Sequence, residues 1–326
     1  MRRNLPALVL VGLSILIPEL LTGSTPVLSL FLDPLSIVFL LGLYGCGVLT
    51  IREVCVRWGK GWPSVLLLGL GYGIVEEGFG TKTFFDPRST AAAGLAVYGH
   101  YGGVSWVWVT EITIFHAVFS IGLPILLVGL LFPGTRAVRY LSDRGLGTAF
   151  TLFLLTATTT FFLFDRSYTP NAGILFLFAA LVIGLSALAW RSPSSLSRPS
   201  DHGPPRSPRA VGLAAGLFVW LLFGISWSLP ALVPLPLVVI GLDLLLAIGI
   251  ALYVFREIES GDPHYRLSFA TGALSFLIVF SLVVEVLGDV LAIFATGSII
   301  GLLVLLRRRL APYPSRPLRD AIGKPI

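Results

Sequence analysis

LSFATGALSFLIVFSLVVEVLGDVLAIFATGSIIGLLVLL, residues 267–306, holds two acids, Glu285 and Asp289, and no basic residue. A helix crosses the hydrocarbon core in about 20 apolar residues, so one helix over this run would overshoot the bilayer. Gly288 stands between the two acids and marks a turn, which gives two spans, 267–284 and 286–306. Further apolar stretches of similar length lie at about 5–22, 34–51, 62–78, 104–132, 146–164, 171–190, 210–229 and 234–255. They are continuously apolar rather than alternating, which argues against a β-barrel. The composition agrees: 55% of residues are hydrophobic and only 12% charged, and the mean hydropathy is +0.89. A soluble domain carries roughly a quarter charged residues. The expected fold class is therefore all-α, a polytopic membrane helix bundle of about ten transmembrane helices. Disorder, a disulfide-rich secreted scaffold and a soluble enzyme are excluded.

Ten spans carry a consequence for charge. With Arg2 and Arg3 cytoplasmic, twenty of the 23 Lys and Arg residues fall on the cytoplasmic side, and only Lys82, Arg88 and Arg166 on the other. Such an imbalance supports both the span count and an orientation with N- and C-termini cytoplasmic in the cell membrane. The net charge of +6 then marks an anionic leaflet surface and the lipid bilayer as partner, with no nucleic acid implied. Glu19 stands where a small-residue cleavage site would be needed, so residues 1–26 read as an uncleaved first span. Cys46 and Cys55 are nine residues apart, roughly 13 Å along one helix and too far for a disulfide.

The Ser-, Pro- and Arg-rich stretch 191–209 cannot bury a core and reads as a flexible cytoplasmic linker. It divides residues 1–190, a six-helix bundle, from residues 210–310, a four-helix bundle, with 311–326 as a cytoplasmic tail. The loop 81–103 is too apolar for a solvated connection and is expected to pack back over the outer mouth of the bundle. Gly69, Gly73 and Glu77 recur every four residues and share one face of the third span. Close helix approach is expected there, with Gly42, Gly45 and Gly47 of the second span as a candidate partner surface.

Ionisable groups at membrane depth are functional candidates. Glu76 and Glu77 end an apolar span, where two adjacent carboxylates repel, so one is protonated or both share a cation. A neutral Glu beside an ionised one is an acid–base pair, and carboxylates beside a His make a metal site. His116 is the one histidine inside a span, and it shares a face with Thr113 and Ser120. Glu111 lies about 140° round the helix and serves different neighbours. His100, in the folded-back loop, is a candidate second imidazole. Glu19, after Pro18, is a candidate third acid, whereas Asp243 suits a structural hydrogen bond as well as a proton relay, and Glu285 and Asp289 flank the turn at Gly288.

A double Glu on one span followed by a His on a later one resembles the CAAX-protease and bacteriocin-processing family of intramembrane hydrolases, over roughly residues 65–120. That family's pattern is EExxxR, then FxxxH, then HxxxN or HxxxD. Glu76, Glu77 and His116 match. Thr81 stands at the Arg position with Lys82 one residue late, Ile112 stands at the Phe position, and the third motif is absent. The resemblance implies a Glu-activated water attacking a peptide bond within the membrane. Catalysis would fall to Glu76, Glu77 and His116, and Glu77, His116 and His100 are candidate ligands to a divalent metal such as zinc.

Three functions stay open: a Glu/His-dependent hydrolase of membrane-embedded peptide or lipid substrates, a ten-helix secondary transporter of the drug/metabolite type built on a five-plus-five repeat, and a non-catalytic membrane assembly protein. The orientation is directly testable. In a variant lacking Cys46 and Cys55, Ser200→Cys in inside-out vesicles is expected to react with a membrane-impermeant maleimide, and Thr90→Cys only in right-side-out ones. The opposite labelling would reverse the assignment.

Overall fold

The computed structural model describes residues 4–164, 166–193 and 207–310. Asp165, most of the expected linker (194–206) and the tail 311–326 lie outside the described residues.

Long helices occupy all ten expected stretches: α1 (Asn4–Leu20), α2 (Pro34–Trp58), α3 (Trp62–Ile74, continued by Val75–Gly80), α4 (Trp106–Leu131), α5 (Asp143–Leu163), α6 (Ala172–Arg191), α7 (Pro208–Ser228), α8 (Pro236–Glu259), α9 (Pro263–Leu287) and α10 (Ala292–Arg309). Seven are long and apolar enough to cross a membrane on length and composition. Of the others, α1 is shorter, α3 ends on the Glu pair, and α10 ends on Arg307–Arg309. The fold is an all-α membrane bundle. The described strands form one small hairpin, β1 (His100–Tyr101) and β2 (Val104–Ser105).

Helix ends follow local chemistry. Asp33, Ser142, Asn171, Ser207 and Asp262 each cap a helix by accepting a backbone N–H, and Pro34, Pro208 and Pro263 follow where no N–H is needed. At the other ends, Gly59 (φ 63°) stops α2, and Gly288 (φ 133°) stops α9 at the expected break. The apolar faces of α5, α6 and α8 are largely uncovered by protein, with Phe176 76% and Leu252 73% exposed, as lipid-facing surface requires.

Glycines set the closest approaches. A Cβ on Gly69 would lie 2.8 Å from the Ala117 Cα, and one on Gly73 would lie 3.2 Å from both the Thr113 Cα and the His116 Cβ. The partner of this stripe is therefore α4, which corrects the expectation of α2. Gly42, Gly45 and Gly47 of α2 instead face Thr156, Val11 and Tyr72, on three different helices. Elsewhere α7 and α9 meet through Gly212, Gly216 and Gly272, backbone against backbone.

The loop 81–103 folds back as expected. Phe84 and Phe85 are fully buried, with ring centroids 5.5 and 5.2 Å from that of Phe178 on α6, and Leu95 and Ala96 join the same cluster. At the opposite end of α2, Glu53 is fully buried. It pairs with Arg52 and accepts from the Tyr140 N at 2.8 Å, while Arg52 lies 3.4 Å over the Tyr140 ring. Glu53 thereby fastens the α4–α5 connection to α2.

A methyl group on Gly272 would enter the Gly212 carbonyl, whereas one on Gly224 of α7 meets nothing within 4 Å. Overpacking costs about 1–3 kcal/mol or more. Gly272→Ala is expected to lower the melting temperature in detergent by several degrees, with Gly224→Ala near wild type. Equal melting of the two variants would refute the backbone contact.

Candidate functional site

Each of the first four helices changes to π-helical winding for about one turn, at Leu16–Leu20, Leu41–Gly45, Val75–Gly80 and His116–Gly122. Among the described residues no other helix does so. These turns carry Glu19, Tyr44, the Glu76–Glu77 pair, and His116 with Ser120. A π-turn re-aims side chains relative to a regular helix and recurs at functional sites. Here four of them direct polar groups inward from four helices.

His116 is the hub. Its Nε2 lies 3.1 Å from Glu77 Oε1, and its Nδ1 lies 2.8 Å from Ser120 Oγ and 3.3 Å from Glu76 Oε2. Glu76, Glu77 and His116 are 3%, 9% and 2% exposed. Glu77 Oε2 accepts from Thr81 Oγ1 at 3.1 Å and from Thr83 Oγ1, and Thr83 Oγ1 accepts from Trp108 Nε1 at 3.0 Å. Both oxygens of Glu77 are thus engaged. Glu76 Oε2 and Tyr72 Oη are buried and make no well-aligned hydrogen bond among the described residues. Tyr72 and Tyr44 wall the site, their ring centroids 5.7 and 6.3 Å from that of the imidazole. Tyr44 Oη donates to Glu19 Oε1, and Thr25 Oγ1 donates to Glu19 Oε2 at 2.5 Å, so Glu19 adjoins the cluster through Tyr44.

Of the sequence candidates, Glu76, Glu77 and His116 come together. His100 stays in the hairpin, its Nδ1 2.9 Å from Ser105 Oγ. Lys82 donates to the Tyr168 carbonyl at 3.1 Å. Glu111 does serve other neighbours: its Oε1 accepts from Trp227 Nε1 at 2.9 Å, beside Asp243, which accepts from Ser226 at 2.8 Å. Glu285 and Asp289 have structural partners, accepting from Thr296 Oγ1 at 2.8 Å and Val27 N at 3.1 Å.

The zinc ligand set Glu77, His116 and His100 is not assembled. Glu76 approaches Nδ1 and Glu77 approaches Nε2, so the carboxylates flank opposite edges of the ring. One ion cannot take both together with the imidazole. Among the described residues no three His, Cys, Asp or Glu side chains are arranged to hold a metal. A catalytic zinc needs three protein ligands, and these residues do not fit that shell. They fit proton transfer, because a single imidazole joins two carboxylates and any change at one is felt by the other.

Sequence reasoning missed Tyr44, Tyr72, Thr83 and Trp108. One signal was present: Tyr44 stands among the close-packing glycines of α2, and Tyr72 between Gly71 and Gly73, positions where a hydroxyl on an apolar span needs a buried partner. Thr83→Val removes the hydroxyl that links Trp108 to Glu77. Loss of such a buried partner costs about 1–3 kcal/mol. A fall of several degrees in melting temperature is expected, and a variant melting like wild type would show that this hydroxyl does not hold the carboxylate.

Comparison with curated proteins and with solved structures returns no match. One family model matches, over residues 8–311, and it is not that of the CAAX-protease family, so the likeness to those enzymes is confined to the Glu–Glu and His motif. With nearly the whole bundle inside that match, the chain belongs to an uncharacterized membrane protein family.

Proposed function

We propose that this multi-pass membrane protein is an intramembrane hydrolase whose acid–base centre is Glu76, Glu77 and His116, acting on a peptide or lipid bond that reaches the site within the bilayer. The observation that carries the reading is His116 held between two buried carboxylates, 3.1 Å from Glu77 and 3.3 Å from Glu76. Charged groups at this depth are costly to keep without a use. In this reading both termini are cytoplasmic, on the strength of the Lys and Arg distribution.

From the sequence Glu77 is taken as the general base with Glu76 as its partner; the hydrogen bonds favour the reverse assignment. Glu77 is held by Thr81, Thr83 and His116, which suits a group that orients the imidazole. Glu76 is held less tightly, its Oε2 lying 3.3 Å from His116 Nδ1 without a well-aligned hydrogen bond. Glu76 takes a proton from water as the water oxygen adds to the scissile carbonyl carbon. It returns that proton to the departing amine or alcohol as the C–N or C–O bond breaks. His116, oriented by Glu77, keeps Glu76 in place between these steps.

A transporter with a five-plus-five repeat fits less well, because all the π-turns lie in α1–α4 and none among the described residues of α6–α9, so the halves differ in construction.

The test uses proteoliposomes of the full chain with two probes: a quenched fluorescent transmembrane peptide and an acyl-labelled phosphatidylglycerol, with products read by mass spectrometry. General acid–base catalysis contributes about 10²–10⁴-fold. Glu76→Gln is expected to lose at least about a hundredfold in turnover while keeping its melting temperature. Turnover of either probe that survives Glu76→Gln, Glu77→Gln and His116→Gln alike, or absence of turnover of both in wild type, would reject the assignment.

A further inference from the structure

Two cavities meet away from the Glu–His cluster, and neither is lined by Glu76, Glu77 or His116. The smaller, about 270 Å³, lies where α2, α3, α4 and α9 end, and its wall includes Arg52, Lys60, Arg136, Tyr140, Arg266 and the carboxylate-bearing Glu259. The larger, about 540 Å³, is almost wholly apolar, bounded by Leu66, Leu70, Ala117, Leu123, Ile248 and Phe269. Trp62 and Leu126 line both, so the basic cavity and the apolar one adjoin at these two side chains. Leu244 and Ile248 also line the larger cavity while being 46% and 56% exposed, which brings it to the lipid-facing flank of α8.

The charges in the smaller cavity are unequal in their partners. Arg52 is paired with Glu53, and Lys60 Nζ donates to the Ser192 carbonyl at 2.7 Å. Among the described residues Arg136 and Arg266 hydrogen-bond to backbone carbonyls: Arg136 donates to Gly129 O at 2.8 Å and Gly261 O at 3.2 Å, and Arg266 donates to Ile258 O at 2.9 Å. A Cβ built on Gly261 would lie 3.8 Å from a terminal nitrogen of each guanidinium, so the two cations converge on one place. Half-buried like charges brought together are unfavourable; among the described residues Glu259 in the same wall forms no ion pair with either arginine, and an anion bridging the two would remove that cost. Guanidinium pairs match phosphate oxygens in charge and in planar hydrogen-bond geometry.

We propose that the adjoining cavities are a binding site for one anionic phospholipid of the bilayer, its phosphate between Arg136 and Arg266 and one acyl chain in the apolar chamber. The charge complementarity sits at one end and a chain-sized apolar space at the other, within the roughly 300–1,000 Å³ of ligand cavities. Basic pockets between membrane helices hold anionic headgroups in this way. The proposal is independent of the hydrolase reading, since it uses none of the same residues.

Native mass spectrometry of the full chain, exchanged into detergent with added phosphatidylglycerol, phosphatidylcholine or inorganic phosphate, tests it. The expected result is one phosphatidylglycerol retained per chain, in preference to phosphatidylcholine by about tenfold, consistent with hydrogen bonds to a charged group. The double variant Arg136→Gln/Arg266→Gln is expected to lose that preference. Ala247→Trp, which fills the chamber, is expected to weaken retention while leaving both arginines in place. Equal retention of the two lipids by wild type overturns the proposal without needing any variant to fold. So does stabilisation by inorganic phosphate matching that by phosphatidylglycerol, which would mark a free-anion site.

Discussion

A carboxylate within the hydrocarbon layer has no water to fall back on, so its hydrogen bonds must come from the bundle itself. That constraint organises this protein. Glu19, Glu53, Glu77, Glu111 and Asp243 each accept from a side chain or backbone group on another element or at the adjoining loop. Supplying those donors requires helices to approach at chosen depths, and the glycines permit that approach. Gly73 brings α3 against Thr113 and His116, the level at which the Glu pair meets the imidazole.

The π-turns and the glycines act together. A regular helix carrying Gly69, Gly73 and Glu77 on one face would present Glu77 to whatever helix the glycines contact. Here that helix is α4, and its own winding changes at His116. The wider turn at Val75–Gly80 lets both Glu76 and Glu77 reach the same imidazole from opposite sides, although neighbours on a regular helix point about 100° apart. The loop 81–103 closes over this arrangement and contributes Thr83, which holds Glu77 while Trp108 holds Thr83.

The opposite end of these helices solves a different problem. Glu53 neutralises Arg52, but among the described residues Arg136 and Arg266 form no ion pair and donate to backbone carbonyls. One end of α2–α4 therefore buries acids around a histidine, and the other gathers partly buried cations beside an apolar chamber. Both follow from the uneven placement of charge along the chain.

The positions of the ten long helices and their apolar nature were legible in the sequence, because span length and the exclusion of charge from hydrocarbon are set by the bilayer and act on each segment alone; their ends were not, since α2 runs on to Trp58 and α10 starts only at Ala292. The sequence also determined the break at Gly288, the folded-back loop and the separation of Glu111 from His116, each of which follows from a local property or from helical periodicity. It singled out Glu76, Glu77 and His116 because ionisable groups on apolar spans stand out. That the three converge, that His100 stays apart, and that Gly69 and Gly73 pair with α4 emerges from the packing of the helices. The same holds for Tyr44, Tyr72, Thr83 and Trp108, which complete the site. Those outcomes depend on which helices become neighbours and on π-turns that shift side chains off the regular 3.6-residue period, and neither is encoded in the spacing of any single segment.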